Sequence, residues 1–371
     1  MKSKTKASAF ANVVLEAGPA GLFLTLCLAR YGLTDDSLLC LDAKPGTLKA
    51  GQADGLQPRT LEVLKSLGVA SEILSEGCHM TEVAFWNPDE KGGIERTNFA
   101  PDVTVAARYR HEVTIHQGRI ERILEENLGL YSKRRVVRSS HFLDFKIDPA
   151  GNATYPVHID IEQETSTGER TQKTIRAKHL VGADGAHSRV RRAMGLKLEG
   201  ETTDHIWGVA DFVIDTDFPD IRRRCAIHSD VGSIMVIPRE QIRNGDYLTR
   251  LYVQVMDDEV APSADLGLER VKSSISSREK RAAITFEYIM EQAQRVLRPY
   301  KIGLKKGAVV DWWAAYQIGQ RMAPEFSLKD AQGMERVFIV GDGKIVLLHQ
   351  HETRANGEQL VTLTALKQAK V

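Results

Sequence analysis

The chain has few cysteines and almost no net charge, and each shortage excludes a class of protein. Its four cysteines, Cys27, Cys40, Cys78 and Cys225, are scattered through 371 residues without the spacing of a zinc site or a disulfide framework, so we expect reduced thiols and no metal site. The 50 Lys and Arg residues nearly balance 49 Asp and Glu residues, which gives no reason to expect nucleic acid or an acidic membrane as a partner. No apolar run reaches the roughly 20 residues of a membrane span, so we expect a cytoplasmic protein.

A strand–turn–helix pattern stands near the N-terminus. The apolar run at 13–15 predicts a buried parallel strand, residues 22–30 predict a helix, and 37–41 predict a second strand that ends at Asp42. This order is typical of a βαβ unit, in which an acidic residue about 20 positions after the glycines can accept hydrogen bonds from a ribose. We therefore predict that Asp42 binds a ribose.

The turn itself departs from the usual nucleotide-binding pattern, G-x-G-x-x-G. Gly18 and Gly21 occupy its second and third positions, whereas Glu16 occupies the first. The N–H groups at the start of the helix should face a pyrophosphate, and a glutamate beside that phosphate should weaken its binding. A strand–turn–helix without a ligand is the alternative.

Two further glycine segments follow in the chain. Asp184 and Gly185 end a predicted strand at 178–182, and Arg191 lies in the basic helix that follows. An aspartate there can hold a ribitol hydroxyl, and an arginine can bind phosphate oxygens, although a helix cap with a solvated basic face explains the same residues. Gly341 and Asp342 end a third apolar strand. Three such segments in this order indicate FAD.

These segments resemble the flavin-dependent aromatic hydroxylases, specifically the phenol 2-monooxygenase branch of fungi and bacteria. The D-G-x-x-S-x-x-R pattern of that family stands at 184–191, and residues 51–62 resemble the signature of the branch. The resemblance runs from about Val13 to Asp342. It implies FAD as cofactor, NADPH as reductant, and hydroxylation of an aromatic substrate by O₂ through a flavin C4a-hydroperoxide, in keeping with a role in secondary metabolism.

The resemblance also assigns site residues. Asp54 matches the carboxylate that accepts the proton of the phenol, Tyr252 matches a tyrosine that contacts the substrate, and Arg239 fits an arginine of the family pattern. Gln52 and Gln117 match positions at the FAD. Each has a plainer alternative: a helix cap for Asp54, a cross-strand aromatic pair for Tyr252 and a polar helix start for Gln117.

The strand that contains Tyr252 has two distinct faces. Residues 248–256 alternate, so that Leu251, Val253 and Val255 share one face while Arg250, Tyr252 and Gln254 share the other. We expect the second face to line a pocket with polar groups.

The predicted fold class is α/β, with a glycine-loop FAD-binding domain interrupted by a mixed-sheet substrate domain. The predicted boundaries are 1–205 for the first part of the FAD-binding domain, 206–300 for the substrate domain, and 301–342 for the return to the FAD-binding domain. Residues 343–371 resemble nothing in the family, and we expect its thioredoxin-like C-terminal domain to be absent. Gly343-Lys344 can be encoded GGT-AAG, which contains the consensus start of a eukaryotic intron, so our hypothesis is that this tail is translated intron.

Two other functions stay open at this point. A non-catalytic, truncated remnant with weak or no FAD binding is favoured by Glu16 and by the tail. A nicotinamide-only dehydrogenase explains the first loop but leaves Asp184-Gly185 and Gly341-Asp342 unexplained. The expected partners are a small aromatic substrate, O₂ and a second copy of the chain as a homodimer.

Overall fold

The computed structural model of the protein describes residues 8–33, 35–49, 53–148, 154–255 and 281–347, without the side chains of 202–205, 318 and 345–347. The helices are α1 (Pro19–Arg30), α2 (Pro58–Ser66), α3 (Ala70–Glu76), α4 (Gln117–Leu128), α5 (Arg189–Ala193) and α6 (Phe286–Val296). The strands are β1 (Ala9–Leu15), β2 (Leu38–Leu41), β3 (Gly55–Leu56), β4 (Cys78–Met80), β5 (Glu82–Pro88), β6 (Ile94–Pro101), β7 (Glu112–Thr114), β8 (Ser140–Ile147), β9 (Val157–Glu164), β10 (Arg170–Gly182), β11 (Glu199–Thr216), β12 (Arg224–Ser229), β13 (Gly232–Gln241), β14 (Tyr247–Val255), β15 (Ile302–Leu304), β16 (Val310–Met322), β17 (Ser327–Lys329), β18 (Glu335–Ile339) and β19 (Ile345–Leu347).

The chain divides into two compact units. The first comprises Met1–Lys49, Gln117–Glu201 and Gly319–Val371, and the second comprises Ala50–His116 and Thr202–Ile318. The sequence assigned 50–116 to the FAD-binding domain, and the structure differs because β5 pairs in parallel with β12 of the second unit. Residues 301–318 also belong to the second unit rather than to the return segment.

The sheet of the first unit has the order β17-β18-β10-β1-β2, and β8 and β9 continue it along the N-terminal half of β10. Strands β1, β2, β10 and β18 are parallel to one another. Val13, Val14 and Leu15 are all buried, as expected where helices and further strands cover both faces of a parallel sheet. Helix α1 begins with Pro19 at its first turn and packs its apolar residues inward.

The sheet of the second unit is mixed. Its strands run in the order β16-β11-β14-β13-β12-β5-β6. The pairs β11–β14, β14–β13, β13–β12 and β5–β6 are antiparallel, whereas β12 and β5 are parallel. Helix α6 packs on this sheet, and Gly208 of β11 lets it approach, because a Cβ at that position would lie 2.5 Å from the side chain of Ile289. The predicted α/β class with a mixed-sheet second domain is therefore confirmed.

The structure also bears on the predictions for the cysteines and for a membrane span. All four cysteines are free thiols, and Cys27, Cys40 and Cys225 are buried. Among the described residues, no helix is both long enough and apolar enough to cross a lipid bilayer.

Candidate functional site

The three glycine segments meet at one edge of the first unit's sheet. In the parallel register, Leu15 of β1 lies beside Gly182 of β10, which in turn lies beside Ile339 of β18. The backbone N–H groups just past these strand ends continue the contacts, with Ala183 donating to Leu15 at 2.9 Å and Val340 donating to Gly182 at 2.9 Å. The turns that follow therefore share the carboxyl edge, which is where open α/β sheets bind their ligands.

The N-terminal turn is built around a close approach. A Cβ on Gly21 would lie 1.9 Å from the carbonyl oxygen of Glu16, so only glycine allows α1 to start this near the turn. Gly18 is the N-cap residue, and a Cβ there would meet open space. In the described part of the chain, no side chain caps α1 and no acidic residue lies in its first turn. This helix end fits a pyrophosphate.

Glu16 opposes that fit. Its φ of +74° lies in the left-handed region, where a side chain is strained and where the usual pattern has glycine. Its carboxylate lies 3.3 Å from the ammonium of Lys44. Burial, reinforced by the nearby charge of Asp42 and only partly offset by Lys44, raises the pKa of Glu16 to about 7. Glu16 is thus a strained, partly buried acid beside the predicted phosphate position.

Asp42 is fully buried and already has several partners. Its carboxylate accepts a hydrogen bond from the N–H of Ala17 at 3.0 Å, and it forms ion pairs with Arg138 at 3.0 Å and Lys44 at 3.1 Å. These contacts fasten the turn to β2. The predicted ribose contact of Asp42 stays a prediction, since a ribose hydroxyl would have to share this carboxylate.

The middle segment uses its polar groups to build the turn. Asp184 accepts hydrogen bonds from the N–H groups of Arg189 at 2.6 Å and Val190 at 3.1 Å, and therefore caps α5. The guanidinium of Arg191 donates to the carbonyls of Ala186 at 2.8 Å and Gly343 at 2.9 Å. Arg191 thus links the third glycine segment to the second. The FAD contacts of Asp184 and Arg191 stay predictions.

The remaining residues predicted to bind the cofactor are Gln117, Gly185, Gly341, Asp342 and Gln52. Gln117 begins α4 and donates to Glu121 at 3.0 Å, and the buried Glu121 accepts the N–H of Leu48 at 2.8 Å. Gly185 has a φ of +72°, and Gly341 has a φ of +59° in the turn that also holds Asp342. Gln52 lies outside the described residues, as do residues 348–371 of the predicted tail.

In the second unit, two of the three predicted catalytic residues, Asp54 and Arg239, belong to a buried ring of charges. Asp54 Oδ2 lies 3.2 Å from Arg239 Nη1, and Asp54 Oδ1 lies 3.1 Å from Arg250 Nη1. Asp211 closes the ring, at 3.0 Å from Arg239 Nη1 and 2.7 Å from Arg250 Nε. The side chains of both arginines are 0% exposed. Asp54 and Arg239 thus contact each other directly, and each also contacts a residue that was not predicted as a site residue, Arg250 for Asp54 and Asp211 for Arg239. The catalytic roles of Asp54 and Arg239 stay predictions.

Local backbone geometry places these side chains. Asp211 and Arg250 are direct cross-strand neighbours in β11 and β14. The pairing of β13 with β14 slips between Pro238 and Gln241, and this irregularity surrounds Arg239. The carbonyl of Asp54 accepts the N–H of Ile115 at 3.0 Å, which holds Asp54 at the end of the small β3-β7-β4 sheet.

The carboxylates of the ring stabilise the charged forms of both arginines even though they are buried. Burial opposes the charged form of Arg250, yet Asp54 and Asp211 together raise the pKa of this arginine well above its usual value. Burial likewise opposes the charged form of Arg239, and the carboxylates of Asp54, Glu240 and Asp211 raise its pKa. Both arginines are therefore permanent cations.

Aromatic side chains lie beside the ring of charges. The guanidinium of Arg250 lies 5.9 Å from the ring centre of Tyr252 and 5.4 Å from that of Trp312, and its Nη1 lies 3.4 Å from the Tyr252 hydroxyl. Burial, and then the charge of Asp54, raise the pKa of Tyr252. Burial raises the pKa of Tyr316 to about 12, and its buried hydroxyl has no hydrogen-bond partner among the described residues.

One oxygen of Asp54 is a free hydrogen-bond acceptor within the described residues. Its Oδ2 is buried and accepts no hydrogen bond from any residue that the structure describes, although it lies within ion-pair distance of Arg239. An oxygen in this state can accept a proton from a hydroxyl group placed beside it.

The sequence held weak signals for the residues that were missed. Asp211 is the one carboxylate in the apolar run from Val209 to Val213, where a charge requires a buried partner. Arg250 shares the polar face of its strand with Tyr252. No role was predicted for Trp312 or Tyr316 from the sequence.

Comparison with known proteins agrees with this architecture. A family model described as "FAD binding domain" matches residues 12–306. The chain is 38% identical over 334 residues to a flavin-dependent oxygenase, ucdD, of Aspergillus ustus, covering 89% of this chain and 49% of that protein. It is 36% identical over 352 residues to 3-hydroxybenzoate 4-monooxygenase of Comamonas testosteroni, covering 92% of this chain and 50% of that protein.

A solved structure shows the same fold. The crystal structure of p-nitrophenol 4-monooxygenase PnpA from Pseudomonas putida DLL-E4 superposes with a TM-score of 0.67 at 19% identity, covering 91% of this chain and 74% of that one. The chain spans about half the length of the curated relatives it matches. The predicted family is confirmed, and the chain belongs to the FAD-dependent aromatic monooxygenases.

Proposed function

We propose that the chain is the FAD- and substrate-binding part of a monooxygenase that hydroxylates a phenolic ring with NADPH and O₂. The observation that carries the proposal is the buried Asp54, whose Oδ2 accepts no hydrogen bond within the described residues and whose other oxygen is held by Arg250. The guanidinium of Arg250, which holds this carboxylate, also lies against the aromatic side chains of Tyr252 and Trp312. A pocket of this kind suits a ring with a hydroxyl group.

The proposed role of Asp54 is to accept the proton of that hydroxyl. The proton moves to Asp54 Oδ2, while the electron pair of the broken O–H bond stays on the phenol oxygen and makes the ring more electron-rich. Arg239 and Arg250 hold the carboxylate in place. Because the pKa of Tyr252 is raised, its hydroxyl stays protonated and can donate to the same phenol oxygen.

The residues that would hold FAD lie at the carboxyl edge of the first unit's sheet. The α1 end at Gly18 and Gly21 would take the pyrophosphate, and Asp42 and Asp342 would take hydroxyl groups of the cofactor. We propose Gln52, Gln117, Asp184, Gly185, Arg191 and Gly341 as further contacts. FAD, when bound, supplies the electron transfer from NADPH and the activation of O₂.

A second candidate is a chain that keeps the fold but binds FAD weakly. The strained Glu16 carboxylate beside the predicted phosphate position favours it. The absorption spectrum of the purified chain, recorded after adding FAD and removing the excess, separates the two. A retained flavin spectrum supports the monooxygenase, and a folded protein without retained flavin supports the second candidate.

Substitution at Asp54 tests the mechanism. With phenol, NADPH and O₂, Asp54→Asn should lower the rate of product formation by about 10² to 10⁴, the usual contribution of a positioned base. The matched control is Asp215→Asn, an exposed aspartate of strand β11, which should keep the rate. A wild-type rate for Asp54→Asn would remove Asp54 from the mechanism. A homodimer and a cytoplasmic location are further predictions.

A further inference from the structure

Every guanidinium nitrogen of the buried ring is already paired. Arg250 places Nε and Nη2 each 2.7 Å from Asp211 and Nη1 3.1 Å from Asp54. Arg239 places Nε 3.0 Å and Nη2 3.1 Å from Glu240, and its Nη1 3.0 Å from Asp211. A carboxylate on a substrate would therefore have to share nitrogens that carboxylates of the protein already hold.

Anions also outnumber cations in this cluster. Three carboxylates, those of Asp54, Asp211 and Glu240, face two guanidinium groups at 3.2 Å or less, which gives a net charge of −1. Buried charges interact strongly because little water screens them. The carboxylate of a substrate beside Asp54 would therefore be repelled by the excess negative charge of this cluster.

The neighbouring polar groups are Asp311, His116, Tyr252 and Tyr316. Partial burial, and then the charge of Asp211, raise the pKa of the Asp311 carboxyl. His116 lies on the same side of the cluster, where its backbone N–H donates to Glu240 at 3.0 Å. Tyr252 and Tyr316 stay protonated and therefore uncharged, since their pKa values are raised.

We infer that this site selects uncharged phenols and rejects aromatic carboxylates, and that Asp211 is the residue that determines this specificity. Asp211 is buried, and it occupies both the Nε and the Nη2 of Arg250, the pair of donors that would otherwise bind a carboxylate in a bidentate manner. The inference rests on the proposed function, because it concerns the phenol site at Asp54.

The test compares two ligands that differ in charge but hardly in shape. Both 3-hydroxybenzyl alcohol and 3-hydroxybenzoate carry a ring hydroxyl, and only the second is an anion at pH 7. Calorimetric titration of the full chain, with saturating FAD present, gives the ratio of their dissociation constants. The wild-type chain should bind the alcohol at least about tenfold more tightly, given the cost of placing like charges together.

Asp211→Asn should shift this ratio toward the anion by at least about tenfold, because it frees one edge of Arg250 and removes one negative charge. Asp215→Asn on the same strand is the control and should leave the ratio unchanged. If Asp211→Asn does not fold, Glu240→Gln frees an edge of Arg239 at a less buried position and should shift the ratio in the same direction.

The outcomes separate the two proposals. A wild-type chain that binds the anion as tightly as the alcohol overturns the inference, and so do folded Asp211→Asn and Glu240→Gln variants that keep the wild-type ratio. A wild-type chain that binds neither ligand overturns the phenol site itself, and the inference with it. A purely structural role for Asp211 would lower stability without changing the ratio.

Discussion

Replacing Glu16 with glycine should stabilise the chain and strengthen FAD binding. Glu16 has a φ of +74°, and a left-handed conformation costs a residue with a side chain about 1–2 kcal/mol. Glycine removes that strain but loses about 0.5–1 kcal/mol through its greater freedom in the unfolded chain. The backbone contribution is therefore a net gain of up to about 1.5 kcal/mol, independent of pH.

The charge adds a contribution that depends on pH. Below pH 4.5 the carboxyl is protonated in both the folded and the unfolded chain, so its ionisation has no effect on stability. Between pH 4.5 and about 7 only the unfolded chain ionises, so the wild-type chain loses stability as the pH rises. A pKa raised from 4.5 to about 7 corresponds to about 3 kcal/mol above pH 7. Glu16→Gly removes this loss.

Urea denaturation at pH 4.5 and pH 8 measures both contributions. Glu16→Gly should gain up to about 1.5 kcal/mol over the wild type at pH 4.5 and about 3–5 kcal/mol at pH 8. Glu16→Gln, which keeps the strain but lacks the charge, should gain only at pH 8. The FAD dissociation constant, measured by flavin fluorescence, should fall at least about tenfold in Glu16→Gly, because an anion beside the phosphate is gone. Equal stability changes at the two pH values would refute the reasoning.

Three further predictions follow from single positions. Gly21→Ala should destabilise the chain by about 1–3 kcal/mol, because its Cβ would meet the Glu16 carbonyl, whereas Gly18→Ala, whose Cβ meets open space, should melt like the wild type. Burial, partly offset by an adjacent arginine, raises the pKa of Glu112 to about 7, so Glu112→Gln should reduce the stability lost between pH 4.5 and 7; an unchanged pH profile would contradict this. Tyr316→Phe should change the free energy of unfolding by less than about 1 kcal/mol, since its hydroxyl has no partner in the described residues, and a larger loss would reveal one.

The order of the elements in the first unit was predictable because its signals are local. Three apolar residues before a glycine turn, then a helix, then a second short apolar run, predict a βαβ unit. The structure has β1, α1 and β2 at these places. Parallel strands also end at a common edge, which is why three glycine segments far apart in the chain could be expected to meet there.

The second unit was harder to predict because its contacts are distant in sequence. Residues 50–116 belong to this unit through contacts with segments far along the chain, such as the pairing of β5 with β12 and the hydrogen bond from Thr114 to the carbonyl of Pro238. Asp54 and Tyr252 were predicted from a resemblance to a family. Their connection through Arg250 was not, because the pattern of one strand does not reveal what its neighbours contribute.

By itself the sequence determined the α/β class, the glycine turns and the family, since each depends on residues a few positions apart. Only the tertiary structure decided how the charges are paired. Asp211 and Arg250 are 39 residues apart and become neighbours through strand register, and Asp54 reaches them from a separate small sheet. Ion pairing depends on distance and burial in three dimensions, and these are properties of the packed sheet rather than of any local segment.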